Sequence, residues 1–382
     1  MITLLFKILF INIILLFFIF SKDVKINDNS YNLIVSDYKY GLIEWEIENV
    51  FDKWINKLSG VFYEKPNISE INIIENYFYS KSDIDSVEFS KNQNQIEEFI
   101  ESTLSSVISD QNINLIGGMQ FPPVDIRLIE LPKLLVISPR NKILHIDDVL
   151  INPDINLNDI LYIEESIYNQ HNLSSIVLNI GGIATYPSSI PKNKNIKDVF
   201  IISSHEWIHH YLFFTNLGQN MFKSTEMRIL NETLASRVSE ELFIHIVKYL
   251  NQEYGLNLKD DFDNIKTDNV NKFDFRDEMI KTRIKTEFLL KENKIIEAEN
   301  YMELQRLIFV DNGYNIRKLN QAYFAFYSSY ADSAASNTSI GNELDEFRNY
   351  FTSLENFILE IKNISNYEEF QNKLYKLRLE SQ

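Results

Sequence analysis

The stretch IISSHEWIHHYLFF, residues 201–214, places three of the six histidines of the chain and one glutamate among apolar side chains. His205 and His209 are four positions apart, so on a helix both imidazoles lie on one face and can reach the same metal ion. Glu206 follows the first histidine in the pattern H-E-x-x-H, where a carboxylate lies beside the ion without binding it. A buried carboxylate without a partner is costly, so this apolar setting favours a metal site.

The sequence around this motif predicts one helix from Asn195 to Gly218, followed by a second helix over residues 226–250. Asn195 is a favourable N-cap, and Asp198 suits the positive end of the helix dipole. Gly218 suits the C-terminal stop of the first helix.

The other large side chains of the motif helix are expected to be structural. His210 points about 100° away from its neighbour His209. Its side chain either contacts a metal ligand without binding the metal or is exposed to solvent, and we expect it to be exposed. Trp207, Phe213 and Phe214 are expected in the hydrophobic core rather than in a substrate pocket.

The composition narrows the classes of function. With 382 residues and 45% apolar content, the chain is long enough for one large domain or two ordinary ones. The formal charge of −17 argues against nucleic acid as a partner, because its phosphates would be repelled. The chain has no cysteine, so a metal site must use His, Asp or Glu.

The first 20 residues, MITLLFKILFINIILLFFIF, are almost entirely apolar. At about 1.5 Å per residue, such a helix can span the roughly 30 Å hydrocarbon core of a bilayer. The following residues lack the small side chains of a signal-peptide cleavage site. We therefore expect a signal anchor, a transmembrane helix over residues 1–21, in a single-pass membrane protein with the bulk of the chain outside the cytoplasm. A cleaved signal and a secreted protein are the alternative.

The remaining segments alternate between helical and extended patterns. Helices are predicted over residues 69–80, 94–109, 158–170, 316–331 and 342–365, with a helical hairpin over residues 274–312. Short strands are predicted at DIRLIEL (125–131), KLLVISP (133–139), KILHI (142–146) and SSIVLNIGGIATYP (174–187). In the last of these, Gly181 and Gly182 permit a bulge or a close backbone approach.

The second helix carries LNETLAS, residues 230–236, in which Asn231, Glu232 and Ala235 form the run N-E-x-x-A. Together with HEWIH, this run resembles the active-site helices of the gluzincins, the zincin metallopeptidases that include thermolysin and the aminopeptidase N group. The resemblance covers residues 197–245.

The resemblance implies a zinc-dependent peptidase. The implied zinc ligands are His205, His209 and Glu232. Glu206 is implied as the general base that takes a proton from water during hydrolysis of a peptide or protein substrate. Glu226 and Glu240 remain alternatives for the third ligand.

Two further parts of a peptidase site are expected by the same resemblance. An edge strand that binds the substrate backbone is expected at Gly182, Ile183 and Ala184, although an internal strand with a bulge explains the same residues. A donor for the developing oxyanion is expected from a later helix. The candidates are His245 and three tyrosines spaced along one helical stripe: Tyr323, Tyr327 and Tyr330. The alternative for the tyrosines is an aromatic stripe that serves only for packing.

The expected fold is α+β, with a zincin-like unit of a small mixed sheet and active-site helices between mostly helical N- and C-terminal parts. The expected divisions are the anchor (1–21), a helical N-terminal region (22–112) and the catalytic domain with its helical C-terminal part (113–382). Two rival hypotheses remain. One is a non-catalytic, membrane-anchored zincin-fold protein with a structural zinc or an interaction role, and the other is a metal-free helical protein with an accidental motif.

Overall fold

The computed structural model describes residues 31–46, 49, 68–79, 86–113, 120–256, 273–331, 333–336 and 338–381. The anchor expected over residues 1–21 lies outside this part of the chain. Among the described residues, no helix combines the length and the apolar character needed to cross a bilayer.

Helices dominate the described chain and enclose two small sheets, so the expected α+β class is confirmed. The helices are α1 Asn32–Val35, α2 Ile68–Tyr79, α3 Ser86–Asp110, α4 Leu157–His171, α5 Ile196–Phe213, α6 Asn216–Gln219, α7 Thr225–Tyr254, α8 Phe275–Lys291, α9 Ile295–Asp311, α10 Gln321–Tyr327, α11 Ile340–Asn349, α12 Leu354–Ile361 and α13 Tyr367–Glu380. A short 3-10 helix, Ser36–Tyr38, follows α1. The strands are β1 Ile126–Ile129, β2 Lys133–Pro139, β3 Asp147–Ile151, β4 Leu173–Asn179 and β5 Ser188–Pro191.

A three-stranded antiparallel sheet in the order β3-β2-β4 is covered by helices on both faces. Leu135 and Ile137 of β2 belong to the apolar cluster on the side of α4. Val136, between them, belongs to a second cluster with Ala322 and Phe326 of α10. Successive side chains of a strand point to opposite faces, so burial on both faces explains the continuous apolar run in KLLVISP.

The strand predicted at KILHI, residues 142–146, is wrong. These residues lie in the connection between β2 and β3, and the pairing of β3 begins only at Asp147, opposite Ile137. Leu144 and Ile146 are exposed, so their apolar character does not report burial in a strand. An apolar five-residue run was too short to separate a strand from a connection.

The second sheet consists of β1 and β5, which run parallel. The outer edge of β1 is closed by two carboxylates of α3: Glu101 accepts a hydrogen bond from the backbone N–H of Ile126 at 2.9 Å, and Glu97 accepts one from Leu128 at 2.7 Å. On the opposite side of β5, Ser189 pairs with Ile183 through two backbone hydrogen bonds, in an isolated antiparallel bridge.

The largest apolar core lies where α5 and α7 pack against each other and against α3, with helices of the C-terminal part closing it. Phe200, Trp207 and Tyr211 of α5 are fully buried there. The helices predicted at 158–170 and 226–250 are confirmed as α4 and α7, and the hairpin predicted at 274–312 is confirmed as α8 and α9.

The predicted end of the motif helix at Gly218 is wrong, because α5 ends at Phe213 and the short helix α6 follows. The hydroxyl of Thr215 donates to the carbonyl of Leu212 at 2.7 Å, and the Thr215 side chain caps α6. Gly218 has a different role: a Cβ there would lie 2.9 Å from the backbone nitrogen of Phe213. The glycine therefore permits α6 to pack closely on the last turn of α5.

Candidate metal centre

The site is built on α5 and α7, two neighbouring helices whose ends are defined by side-chain caps. Asn195 accepts a hydrogen bond from the backbone N–H of Asp198 at 2.8 Å, as the sequence predicts, and Ser224 caps α7 in the same way. Helix α5 carries His205, Glu206 and His209, and its two histidines lie next to Glu232 of α7.

Three donor atoms converge between the helices. The Nε2 atoms of His205 and His209 are 3.1 Å apart. Oε2 of Glu232, on α7, lies 3.5 Å from Nε2 of His205 and 3.4 Å from Nε2 of His209. In the described part of the chain, these residues form the one group of histidine and acidic side chains whose geometry could hold a metal ion.

The shape of this triangle fits a tetrahedral ion. Ligands at about 2.0–2.2 Å from tetrahedral zinc are separated from one another by roughly 3.3–3.6 Å. The three measured separations, 3.1, 3.4 and 3.5 Å, are close to this range. Octahedral magnesium, with ligands at about 2.0–2.1 Å, would require separations of about 2.9 Å and prefers oxygen ligands. Two imidazoles and one carboxylate therefore match a transition-metal site better than a magnesium site.

The three groups are also electrostatically matched. Burial by itself would lower the pKa of His209, but the charge of Glu232 and the hydrogen bond to it raise this pKa to about 9. Burial would likewise raise the pKa of Glu232, but the charges and hydrogen bonds of the two histidines hold it well below its usual range. These side chains thus stabilise a positive charge between them, and a site that binds a metal cation must do the same.

Asn231 orients one of the histidines. Its Oδ1 lies 3.0 Å from Nδ1 of His209, and because an amide oxygen can only accept, the histidine nitrogen must donate. In the neutral ring that binds a metal, the lone pair of His209 is then on Nε2, the atom that faces His205 and Glu232. Asn231 is part of the N-E-x-x-A run, but its role as a partner of His209 was missed in the sequence.

Glu206 is buried beside this triangle rather than within it. Burial raises the pKa of its carboxyl group, although the charges of His205 and His209 partly offset this effect. The backbone of Gly182 lies against the carboxylate, because a Cβ at that position would be 3.0 Å from Cδ of Glu206. The close backbone approach expected at Gly182 is therefore present, and its partner is Glu206.

A cavity of about 350 Å³ joins these features. Its lining includes His205, Glu206, His209 and Glu232, together with the segment Gly182–Ala184. We call Gly182–Ala184 the edge segment. Since Ile183 directs its own N–H and C=O toward Ser189, the neighbouring peptide groups of the edge segment are directed away from β5.

The three tyrosines do not form one stripe. Helix α10 ends at Tyr327, so Tyr330 lies in the turn beyond it. Tyr330 lines the cavity, whereas the rings of Tyr323 and Tyr327 pack 4.5 Å apart within apolar clusters. Burial, with the charges of Glu232 and Glu206, raises the pKa of Tyr330 far above its ordinary value, so its hydroxyl stays protonated and can donate a hydrogen bond. Of the three tyrosines, Tyr330 is the one that lines this cavity.

His245, the alternative donor, is remote from the cavity. It lies on α7 about 20 Å along the helix axis from Glu232, and its Nδ1 is 3.3 Å from the side-chain nitrogen of Gln111. The alternative third ligands, Glu226 and Glu240, are both exposed on α7, and Glu240 lies 3.9 Å from Arg237. Of the three glutamates considered, the structure brings Glu232 to the histidines.

The expected exposure of His210 is wrong. His210 is 8% exposed, its ring centroid lies 5.5 Å from that of Tyr186, and burial lowers its pKa to about 4. The backbone at Ala184 and Thr185 lies close to the ring and acts against this lowering of the pKa. His210 therefore connects α5 to the edge segment, a tertiary contact that helical spacing does not reveal.

The sequence analysis also did not predict the apolar residues that line part of the cavity. Trp207 is buried as expected, with its Nε1 donating to the carbonyl of Pro122 at 2.9 Å. Phe213, by contrast, lines the cavity instead of the core, together with Met221 and Phe222 from the connection between α5 and α7. The signal available in the sequence was an aromatic residue, Phe222, within a polar connecting segment.

Comparison with known proteins finds no matching protein-family model, no matching curated protein and no matching solved structure. The chemistry of the site must therefore be inferred from its own residues.

Proposed function

We propose that this protein is a zinc-dependent metallopeptidase with a zincin-like active site of the gluzincin kind. The observation that carries the proposal is the position of Glu206. A buried carboxylate and a triangle of metal-ligating atoms line the same cavity, next to the backbone of the edge segment. A structural metal site has no use for such a carboxylate, whereas hydrolysis requires a base at this position.

Zinc is the proposed metal because the donor set is two imidazoles and one carboxylate, and because the donor separations fit a tetrahedral ion. His205, His209 and Glu232 would hold it, which leaves one position open toward the cavity. When bound, zinc would supply a Lewis acid that polarises a carbonyl and lowers the pKa of water to about 7.

The protein side chains have separate roles in the proposed reaction. Glu206 takes a proton from the attacking water and returns it to the leaving amine. Tyr330 donates a hydrogen bond toward the oxygen on which negative charge develops. Within the edge segment (Gly182, Ile183 and Ala184), Ile183 is bonded to Ser189, so the neighbouring peptide groups of Gly182 and Ala184 would pair with the substrate backbone as an added strand. Such pairing explains binding without a demand for one particular sequence.

Replacement of Glu206 by glutamine tests this proposal. Glu206→Gln retains the shape of the side chain and removes the base, so zinc content and thermal unfolding should match the wild type. Cleavage of a peptide library, read by mass spectrometry, should fall by about two to four orders of magnitude. Glu240→Gln, an exposed glutamate on the same helix as Glu232, is the matched control and should cleave normally.

A non-catalytic protein with a structural zinc is the alternative, and the same measurements separate the two. Equal cleavage by the wild type and Glu206→Gln would assign the activity to another site or to a contaminant. Zinc bound by a wild type that cleaves no member of the library would favour the non-catalytic alternative. Absence of zinc from both would favour an accidental motif.

We further propose that residues 1–21 anchor the protein in a membrane, with the catalytic part outside the cytoplasm. The support is the apolar run of the first 20 residues and the absence of a cleavage signature after it. N-terminal sequencing of the protein from the membrane fraction tests this. A mature chain that begins near Lys22 would show instead that the segment is a cleaved signal.

A further inference from the structure

The helical hairpin of α8 and α9 is apolar on its inner side and also on its outer side. Met279, Met302 and Phe309 are fully buried on the inner side. In the described part of the chain, the hairpin also carries seven of the 21 exposed large apolar side chains. A helix that is apolar all round is normally buried all round. The packing within the described part of the chain therefore does not account for this composition.

Five of the exposed side chains form two short stripes. Ile284 and Phe288, four positions apart on α8, are 52% and 53% exposed. On α9, Leu304 is followed by Leu307 and Ile308 at three and four positions, and all three are exposed. Residues at these spacings lie on one side of a helix. We call these five residues the outer face of the hairpin.

The two stripes of the outer face lie side by side. The hydroxyl of Thr282 is 3.4 Å from the side-chain oxygen of Gln305, so the middle of α8 lies against the middle of α9. Arg283 and Arg306 each donate to a backbone carbonyl outside the hairpin, at 2.6 and 3.2 Å. At 3.6 residues per turn, the outer face is rotated by about 100° or more from these two arginines. It therefore points away from the rest of the described chain on both helices.

The charges beside the outer face have opposite signs on the two helices. On α9 the exposed charged side chains are all acidic: Glu297, Glu303 and Asp311. On α8 the exposed acidic residue, Asp277, is paired with Lys281 at 2.6 Å, and the other exposed charged side chains are basic: Arg276, Lys281, Lys285 and Lys291. The hairpin thus presents an apolar surface with a basic half and an acidic half.

We propose that the outer face is an interface between two copies of this chain, in which α8 of each copy packs on α9 of its partner. The two hairpins then form an antiparallel four-helix bundle with the outer-face residues in its core. A two-fold axis along the bundle repeats the same contact twice, as in other isologous dimers. This inference goes beyond the proposed peptidase function and does not depend on it.

The charges determine which helices meet. If α8 packed on α8 and α9 on α9, like charges would face each other across the interface, which is unfavourable. With α8 on α9, the basic half of each copy meets the acidic half of the other. An anionic lipid surface is a poorer occupant of the outer face, because it would attract α8 but repel the acidic side chains of α9.

The mass of the full-length chain tests the inference first. Sedimentation equilibrium, in a detergent whose density matches the solvent, should give about twice the 45.0 kDa of one chain. Leu304→Glu introduces a charge into the apolar interface of both copies and should raise the Kd of the dimer by about 100-fold or more. Ile244→Glu is the matched control, because Ile244 is a comparably exposed aliphatic residue, 65% accessible, on α7. It should leave this Kd unchanged.

Reversal of the charges on one helix at a time tests the pairing of α8 with α9. The chain with Lys285→Glu and Lys291→Glu would have two acidic halves, and the chain with Glu297→Lys and Asp311→Lys would have two basic halves. Each chain alone should dimerise about tenfold or more weakly than the wild type. An equal mixture of the two should form a heterodimer about as tightly as the wild type, because every contact between α8 and α9 is complementary again.

Three results would overturn the proposal. The first is a wild type that sediments as a monomer. The second is a dimer whose Kd is the same with Leu304→Glu as with Ile244→Glu, since association would then depend on another part of the chain. The third is a pair of charge-reversed chains that each dimerise as tightly as the wild type, which would exclude the packing of α8 on α9.

Discussion

Gly182 and Glu206 are in such close contact that no side chain fits between them. A Cβ at position 182 would clash with Oε1 of Glu206 and would lie 2.8 Å from Cγ2 of Ile202. The preceding residue, Gly181, has open space around the same position. The distance between the edge segment and the buried carboxylate is therefore fixed by a single glycine.

Gly182→Ala should inactivate the protein without unfolding it. The new methyl group must displace either the carboxylate of Glu206 or the edge segment, and small displacements of reacting groups cost about 100-fold in rate. We expect peptide cleavage to fall by about that factor, while zinc content is retained because the atoms nearest to a new methyl group belong to Glu206 and Ile202 rather than to the three ligands.

Gly181→Ala is the control for this substitution. It adds the same methyl group to the adjacent residue, where nothing lies within 4 Å. Cleavage by Gly181→Ala should stay within about twofold of the wild type. If both alanine variants lose activity equally, the effect comes from backbone stiffening rather than from contact with Glu206.

Asn231→Ala should weaken metal binding. Without Oδ1 of Asn231, the ring of His209 loses the acceptor that holds its Nδ1–H, and loss of such partners lowers metal affinity about 10- to 100-fold. Titration with a chelator of known affinity measures the change. Thermal unfolding of the metal-free proteins provides the comparison that separates this effect from a loss of folding.

Asn231→Asp should restore the affinity, because it keeps an acceptor oxygen opposite His209. The amide nitrogen of Asn231 is buried without a hydrogen-bond partner among the described residues, so its replacement by oxygen removes no contact. Equally weak zinc binding by the Ala and Asp variants would contradict the orienting role.

Glu232→Gln should lose more zinc than any substitution at Glu226 or Glu240. The Oε2 atom of Glu232 lies within 3.5 Å of both histidine nitrogens, whereas the other two glutamates are exposed. We expect zinc affinity to fall by more than about 100-fold, as for loss of a direct ligand. Elemental analysis of the three dialysed Gln variants measures this. Normal zinc content in Glu232→Gln would exclude it as the third ligand.

Glu164 should make stability depend on pH. This buried carboxylate accepts hydrogen bonds from Arg317 at 3.0 Å and from Lys318 at 2.9 Å. Burial by itself would raise its pKa, but these groups and the N–H of Val177 outweigh burial and lower the pKa in the folded state. The stabilisation is therefore present above the unfolded pKa of about 4.5 and is lost as the pH falls through the folded value.

The free energy of unfolding of Glu164→Gln at pH 7 should consequently be about 2 kcal/mol lower than that of the wild type, because the charge that is removed is buried. The loss is limited because Arg317 can be partly hydrated. The difference from the wild type should shrink as the pH falls from about 4.5 toward the lower pKa of Glu164 in the folded state, because the unfolded chain takes up a proton on Glu164 first. Glu360→Gln, at an exposed ion pair with Lys373, should change the free energy of unfolding by less than about 1 kcal/mol. Urea unfolding of the three proteins between pH 3 and pH 7 measures both effects.

Local rules predicted the parts of the site that lie on single helices. The spacing of His205 and His209 determines that they share a face, and Asn195 caps α5 as its side chain allows. The mixed α+β class also followed from sequence patterns. These features depend on residues within one or two turns of each other, which is the range in which a pattern is informative.

Features that depend on tertiary packing were not predicted. His210 was expected to be exposed because helical spacing cannot show that the backbone at Ala184 and Thr185 lies against it. Tyr330 was expected on one stripe with Tyr323, but α10 ends first. A glycine such as Gly218 is typical of a helix end, but its role in the structure is to permit close contact between α5 and α6.

The carboxylates of Glu97 and Glu101 determine at which edge the small sheet can accept another strand. By occupying the backbone N–H groups along β1, they prevent another extended chain from pairing there, so a stray strand or a second copy of the protein meets a closed edge. On the proposed mode of binding, the substrate is then confined to the side of Gly182, where it passes Glu206. Two glutamates remote from the chemistry would thereby protect the protein from aggregation while they leave its working edge free.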